Sequence, residues 1–439
     1  MAESRAAVRA AGRRLLRRGA RGVRRTVTGR RGLIAYLAIL GPGMIAANAG
    51  NDAGGIATYA TVGADHGYSL LWVLIPITVS LGIVQEMCAR MGAVTGKGLA
   101  DLVRERFGVR WTALVMLALL IANGGVTVSE FVGIAAATEL FGVPRYLSVP
   151  LAAMSVWWLV VKGSYKRVER VFLVMSLVFL GYIVSAFMAR PAWGEIARAI
   201  VRPTWSFAPA YLFTFVAVVG TTISPYMQVF VQSSVVEKGV TAEDYAMTRA
   251  DVWTGTAFAI TIVFFIIIST AATLHSHGIQ IESAADAARA LEPLAGPYAG
   301  LLFAVGLFGA SMLAAGVLPL ATAYSISEAL GFEKGVSRSF REAPIFIGIF
   351  TFLVATGALV AVIPGLPLIR VLLVTQVMNG LLLPVLLFAI LRLVNDKDLM
   401  GTYTNGTFYN IAAWLTAIIV SALSLLLLVT TIFPNLFNS

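Results

Sequence analysis

Cysteine is almost missing from this chain. Cys88 is the only one, which excludes an intramolecular disulfide and a cysteine-based metal cluster. Histidine is nearly as scarce. His66, His275 and His277 all fall in or near expected loops and leave little for a zinc site. Charge is short as well: Asp, Glu, Lys and Arg make up 13% of the 439 residues, where a soluble domain carries about a quarter. With 58% hydrophobic residues and a mean hydropathy of +0.84, a water-soluble domain is excluded and an all-α polytopic membrane protein is expected. No cleavable signal peptide is expected either, because the first long apolar run has no small-residue cleavage site after a short hydrophobic core.

What the chain does have is long apolar runs and a basic head. About eleven runs meet the ~20-residue length needed to span a bilayer. They lie near 33–62, 68–95, 111–140, 147–162, 168–189, 209–234, 252–274, 298–330, 345–362, 367–392 and 409–433. The formal net charge of +11 is concentrated in residues 1–32, where Arg5 to Arg31 face a single acid, Glu3. Such a tail suits nucleic acid or a transit peptide by composition. It reads better as a cytoplasmic segment lying on anionic lipid, with no nucleic-acid partner. Loops on the tail's side carry Lys97, Arg104, Arg106, Arg110, Lys162, Lys166, Lys238, Arg249, Lys334, Arg338, Arg341 and Lys397; the other side carries Arg145, Arg190, Arg198, Arg202 and Arg289. The positive-inside rule then places the N-terminus in the cytoplasm and the C-terminus outside, in a multi-pass plasma-membrane protein.

Two runs contradict their own apolar setting. Residues 41–58 hold a carboxylate, Asp52, among Gly50, Gly54 and Gly55. An ionisable group at mid-bilayer costs roughly 2.5–3.5 kcal/mol on insertion scales, and glycine weakens a helix by about 1 kcal/mol relative to alanine. The run is therefore expected to be unwound there, with freed backbone groups turned to a ligand. In the sixth run Pro225 follows Gly220, Thr221, Thr222 and Ser224. Proline removes a helix hydrogen bond, so a second break is expected, with a plain kink as its alternative. Breaks five spans apart are the mark of inverted five-helix repeats with a site where they meet. The expected organisation is 1–32 tail, 33–189 first repeat, 209–392 second repeat and 409–433 an extra eleventh helix.

At this point the chain resembles the Nramp family of divalent-metal transporters. The resemblance rests on Gly41-Pro42-Gly43, on 67–72, on Gln85-Glu86-Met87-Cys88-Ala89-Arg90-Met91-Gly92, on 95–102, on Gln376, and on Leu399-Met400-Gly401. It covers nearly all of the chain after the tail, and it implies an amino-acid-transporter-type fold of inverted repeats with broken helices 1 and 6. The departures bear on function. The family's Asp-Pro-Gly-Asn is here Asp52-Ala53-Gly54-Gly55, so the asparagine ligand is lost at Gly55. Its Met-Pro-His is Ser224-Pro225-Tyr226, so a thioether becomes a hydroxyl and a histidine becomes a tyrosine. Its Asp-x-x-Glu, tied to a proton route, has Thr127 first and keeps only Glu130.

Thioether sulfur favours manganese, iron and later transition metals, whereas oxygen suits hard cations. Magnesium takes oxygen ligands at about 2.0–2.1 Å and sheds water reluctantly. A roomier oxygen site with one carboxylate therefore resembles the Nramp-related magnesium branch. The resemblance implies Asp52 as the anionic ligand with Ser224 beside it, backbone carbonyls at Ala49 and Thr221, and Gly55 shaping the volume. Gln376, with Asn379, would close over the ion from the tenth helix; the alternative for each is an ordinary interhelical hydrogen bond. Tyr226 and Thr127 replace titratable groups, since tyrosine does not titrate near neutrality, so passive transport of magnesium or manganese is expected. Glu86 and Arg90 pair at i, i+4, and Glu130 pairs with a base such as Arg341 as an inner strut. Neither a resident cofactor nor an obligate protein partner is expected, only the divalent cation and the lipid bilayer around a monomer.

Three rival readings remain at this stage. A proton-coupled transition-metal symporter is disfavoured by Ser224, Tyr226 and Thr127. An organic-solute symporter is disfavoured because Asp52 would repel a substrate carboxylate. An intramembrane aspartyl protease needs two facing carboxylates sharing a proton, and no second aspartate stands in a comparable glycine-rich context.

Overall fold

The computed structural model describes residues 43, 50–162, 180–333 and 341–432; the basic tail, Ala49 and parts of the first and fifth spans lie outside them. The described residues form helices and no strand. The main helices are α1 (Ala53–His66), α2 (Leu74–Thr95), α3 (Leu99–Phe107), α4 (Val109–Glu139), α5 (Arg145–Lys162), α6 (Leu180–Met188), α7 (Trp193–Val201), α8 (Pro209–Thr222), α9 (Pro225–Glu237), α10 (Tyr245–Thr273), α11 (Ala299–Leu330), α12 (Pro344–Ala361), α13 (Leu368–Val394) and α14 (Thr407–Ile432). Among the described residues, eight helical stretches are long and apolar enough to cross a membrane. They coincide with the expected second, third, sixth to eleventh spans. The expected fourth span is α5, and α1 and α6 are the described portions of the first and fifth.

Helix starts follow local chemistry. Pro209, Pro225 and Pro344 open α8, α9 and α12 at positions where no amide partner is needed. Pro150, Pro319 and Pro384 lie inside α5, α11 and α13, which membrane helices tolerate when neighbours re-satisfy the backbone. Helix α7 was not expected. Its Glu195 and Arg198 alternate with apolar residues over nine positions, too few to cross.

The packing repeats itself under exchange of spans 1–5 with 6–10. Helix α1 packs on α10 as α9 packs on α2; α4 packs on α5 as α11 packs on α12; and the α4–α11 and α2–α10 pairs map onto themselves. This is the inverted-repeat arrangement, with α14 added beside α8 and α13. Loops expected on one side do meet: Arg106 pairs with Asp396 and, at 3.4 Å, with Asp398, and Arg104 donates to the Ala329 carbonyl at 2.8 Å. This end is called the basic face below. At the opposite end the His275 ring bonds the Ala64 carbonyl at 2.8 Å. Burial separates the elements: the α8–α9 window is 100% buried, those of α12 and α14 39%. Ile411, Leu415, Ile418 and Leu425 of α14 are exposed, as a lipid-facing surface requires.

Candidate cation site at two helix breaks

Asp52 sits at the N-cap of α1 in extended backbone (φ −73°, ψ −178°) and is 1% exposed. Its Oδ1 accepts the Gly55 amide at 2.5 Å. A carboxylate at a helix N-terminus satisfies an amide that the helix leaves free and faces the positive end of its dipole. The expensive acid of the first run is thus also the cap that starts α1.

The second break lies between Thr222 and Pro225. Ile223 (φ −111°, ψ 51°) and Ser224 (φ −64°, ψ 140°) leave helical geometry, and α9 restarts at Pro225. Helix α8 packs on α1, and the two breaks meet. The Tyr226 hydroxyl donates to Asp52 Oδ2 at 3.3 Å, and the Tyr59 hydroxyl bonds Thr222 Oγ1 at 2.8 Å.

Ser224 does not turn toward Asp52 as expected. Its hydroxyl donates to the Gly220 carbonyl at 2.7 Å and the Thr221 carbonyl at 3.0 Å. The cause is local: Pro225 has no amide to give the Thr221 carbonyl, and the extended Ser224 backbone has left the helix that would serve Gly220. The hydroxyl substitutes for both. The Thr221 carbonyl keeps a second lone pair, while its side-chain Oγ1 is buried with no hydrogen-bond partner among the described residues.

The loss of a side chain at Gly55 acquires a geometric meaning. A Cβ there would stand 2.5 Å from the Gly50 carbonyl oxygen, 3.0 Å from Thr221 Oγ1 and 3.1 Å from Asp52 Oδ1. Three oxygens from both breaks therefore converge on Gly55, so closely that no side chain fits there. Ala49, the expected carbonyl donor, lies outside the described residues; the carbonyl that reaches this point is that of Gly50.

Helix α13 closes one side. Gly220 and Gly380 let α8 and α13 touch backbone to backbone: a Cβ on Gly220 would be 2.5 Å from the Gly380 amide nitrogen. That contact brings Asn379 Nδ2 to 3.5 Å from Ser224 Oγ and 3.3 Å from Gln376 Oε1. The Gln376 carboxamide lies against Gly54, its Cδ 2.9 Å from where a Cβ would be. Gln376 Nε2 and Asn379 Oδ1 have no partner among the described residues.

Glu130 differs from expectation. It is buried on α4; its Oε2 accepts the Ala53 amide at 3.1 Å and its Oε1 a bond from Ser129 at 3.3 Å. Arg341 is exposed just before α12, so the Glu130–Arg341 strut is replaced by a bond to the amide beside Asp52. The free amides of α1 attract the carboxylate. Thr127 is not brought to the site: its hydroxyl donates to the Asn123 carbonyl of its own helix at 2.7 Å. The expected Glu86–Arg90 pair forms at 3.4 Å.

One residue escaped the sequence reading. Met227 is 1% exposed, its methyl lies against Gly50, and its sulfur is 3.8 Å from Gln85 Nε2. The signal was its place one turn into α9, three residues after Ser224. A thioether is therefore lost at Ser224 but present near the first break. Among the described residues no three His, Cys, Asp or Glu side chains gather into a metal-holding group; the centre is built mainly of backbone and hydroxyl oxygens around Asp52, with Glu130 of α4 beside it.

Two broken helices that meet at a buried acid within inverted repeats define a helical membrane protein of transporter architecture. The chain belongs to the Nramp family: the description "Natural resistance-associated macrophage protein-like" matches residues 43–430. It is 30% identical to the divalent metal cation transporter MntH of Ralstonia nicotianae over 417 residues, covering 89% of this chain and 90% of that one. It is 26% identical to MntH of Deinococcus radiodurans, covering 91% of each. Among solved structures it is similar to the manganese transporter of Eremococcus coleocola, with TM-score 0.72 at 20% identity over 90% of this chain and 87% of that one. The nucleobase-cation-symport-1 family transporter Mhp1 shares the fold at TM-score 0.54 and 16% identity, covering 90% of this chain and 91% of that one. The chain is an integral membrane protein.

Proposed function

We propose that the protein is a secondary transporter, not an enzyme, that carries divalent cations across the plasma membrane by alternating access. Magnesium is the preferred ion, manganese a second one, and the ion moves partly hydrated and without coupled protons. The observation that carries this reading is the gathering of oxygens at Gly55: the Gly50 carbonyl, Thr221 Oγ1 and Asp52 Oδ1 close round a position that only glycine fits. Oxygen donors suit magnesium, which keeps part of its shell and needs only one or two carboxylates. Glu130, held on the Ala53 amide, stands behind the cradle. The relatives named divalent metal cation transporters support the cation class.

Uptake needs no proton, because a 2+ ion gains about 4.6 kcal/mol per 100 mV on moving inward. The basic face is assigned to the cytoplasm by the positive-inside rule. The second reading, a proton-coupled manganese or iron symporter, is favoured by one observation, the Met227 thioether at the first break. Proteoliposomes decide between them. Magnesium flux that vanishes in Asp52→Ala, with no acidification of an internal pH dye and with excess magnesium blocking manganese uptake, is the expected result. Acidification that tracks ion entry, or manganese uptake indifferent to excess magnesium, would establish the second reading.

A further inference from the structure

Below the second break, α9 is buried from Pro225 to Val235 and yet lined with carboxamides. Gln228 and Gln232 follow Ser224 at intervals of four, so all three share one face. Gln228 Nε2 donates to the Ser224 carbonyl at 3.4 Å, and Gln232 Nε2 donates to the Lys97 carbonyl at 3.0 Å. A carbonyl acceptor facing each carboxamide fixes its orientation: the nitrogen points to the carbonyl and the oxygen points away. Across the seam, α2 contributes Gln85, whose nitrogen is likewise used, toward Met227 Sδ. All three side chains are 0% exposed, and all three Oε1 atoms lack a partner among the described residues.

This is a one-sided pattern. Every nitrogen of the set has an acceptor and every oxygen is left over. Buried polar atoms are almost always paired, and exceptions call for a ligand, ion or water. Oxygens left over where each nitrogen is already held by an acceptor match a cation with its water shell rather than an anion. The row is also directional. At about 1.5 Å per residue, Ser224 to Gln232 covers ~12 Å, ending at Lys97 on the basic face. The seam is tight: a Cβ on Gly92 of α2 would be 2.9 Å from the Gln232 carbonyl oxygen and 3.3 Å from its Cγ.

We propose that the α2–α9 seam is the exit track of the transported cation toward the basic face, and that the carboxamide oxygens of Gln228 and Gln232, with Gln85 opposite, stand in for successive waters of its shell. The proposal rests on the divalent-cation reading above, and magnesium is the probe. The experiment pairs isothermal titration of purified full-length protein with flux into proteoliposomes for wild type, Asp52→Ala, the double variant Gln228→Leu/Gln232→Leu, and Gln228→Glu.

The double variant is expected to bind magnesium within about twofold of wild type, because the cradle is intact, while its maximal flux falls about tenfold, the effect of losing one net hydrogen-bond equivalent. Gln228→Glu, which keeps an oxygen, retains flux. Full flux in the double variant overturns the track, as does a loss of binding that matches the loss of flux. Wild type that binds no magnesium, with Asp52→Ala unchanged, overturns the cation reading and the track together. A second measurement does not depend on flux. In a Cys88→Ser background, Gln228→Cys is expected to react with a cationic thiol reagent added at the basic face, and saturating magnesium is expected to slow that reaction. A rate that magnesium leaves unchanged overturns the proposal.

Discussion

The two helix breaks do the same thing to the backbone by opposite chemistry. At the first, Gly50, Asn51 and Asp52 stand outside the helix and the free amides of α1 collect carboxylates: Asp52 takes the Gly55 amide and Glu130 takes the Ala53 amide. At the second, proline unwinds the chain and free carbonyls collect a hydroxyl, that of Ser224. Charge therefore lives at the first break, and neutral oxygen at the second. Their products meet at Gly55, where Asp52 Oδ1 and Thr221 Oγ1 lie around one space. The difference teaches how the proposed cation site is assembled: from a helix start, which gathers acids, and a helix end, which presents oxygens.

The sharpest way to break this comparison is to remove the charge. Asp52→Ala is expected to abolish flux by at least about 100-fold, because a contact to a charged group is worth ~3 kcal/mol and 1.4 kcal/mol is tenfold. Transport into proteoliposomes checks it, and flux within threefold of wild type would shift the site away from the first break. Next is the meeting point. In Gly55→Ala the new methyl would lie 2.5 Å from the Gly50 carbonyl oxygen; overpacking of that kind costs roughly 1–3 kcal/mol. Magnesium affinity should fall by about ten- to 100-fold on that scale, read by titration, with a modest drop in melting temperature.

Smaller still is the supporting acid. Glu130→Gln keeps an acceptor for the Ala53 amide but loses the charge, and should weaken binding about tenfold, in line with ~1.4 kcal/mol for one charge-assisted bond. The effect should shrink at high ionic strength only slightly, because the group is buried. Last comes the second break, where two hydroxyls differ. Thr221→Val removes the unpartnered Oγ1 and should weaken magnesium binding about fivefold. Ser224→Ala removes a backbone tie and should lower thermal stability by ~1 kcal/mol with less than about twofold change in affinity. The reverse ranking would return the ligand role to Ser224.

Much of the fold was legible because membrane rules are local. A run's length and hydropathy decide whether it can span, and the expected second, third and sixth to eleventh spans recur with boundaries within a few residues. Both breaks were legible for the same reason: Asp52 among glycines, and Pro225 after Gly220 and Ser224, each disfavour a continuous helix, although Pro150, Pro319 and Pro384 show that a proline by itself does not end one. Helix α7 was missed because an amphipathic nine-residue helix carries no spanning signal. Within the site, Tyr226 stands on Asp52 and Gln376 against Gly54. The bonds of the Ser224 hydroxyl were not legible, because its use depends on which carbonyls proline leaves unpaired. The Glu130 contact was out of reach because it joins residues 77 positions apart.

Residue types and their order decided that this chain enters a membrane, where its helices stop, and that an acid stands at the first stop, since each follows from solvation and from the hydrogen bonds a residue can make with its near neighbours. Which oxygens share a space was decided only by packing. Gly220 against Gly380 sets how closely α13 approaches α8, the partners of Asp52 include Tyr226 from 174 positions away, and Thr221 Oγ1 meets Gly55 because α8 lies on α1. Those distances depend on how several helices fill one another's grooves at once, and no short stretch of sequence contains them.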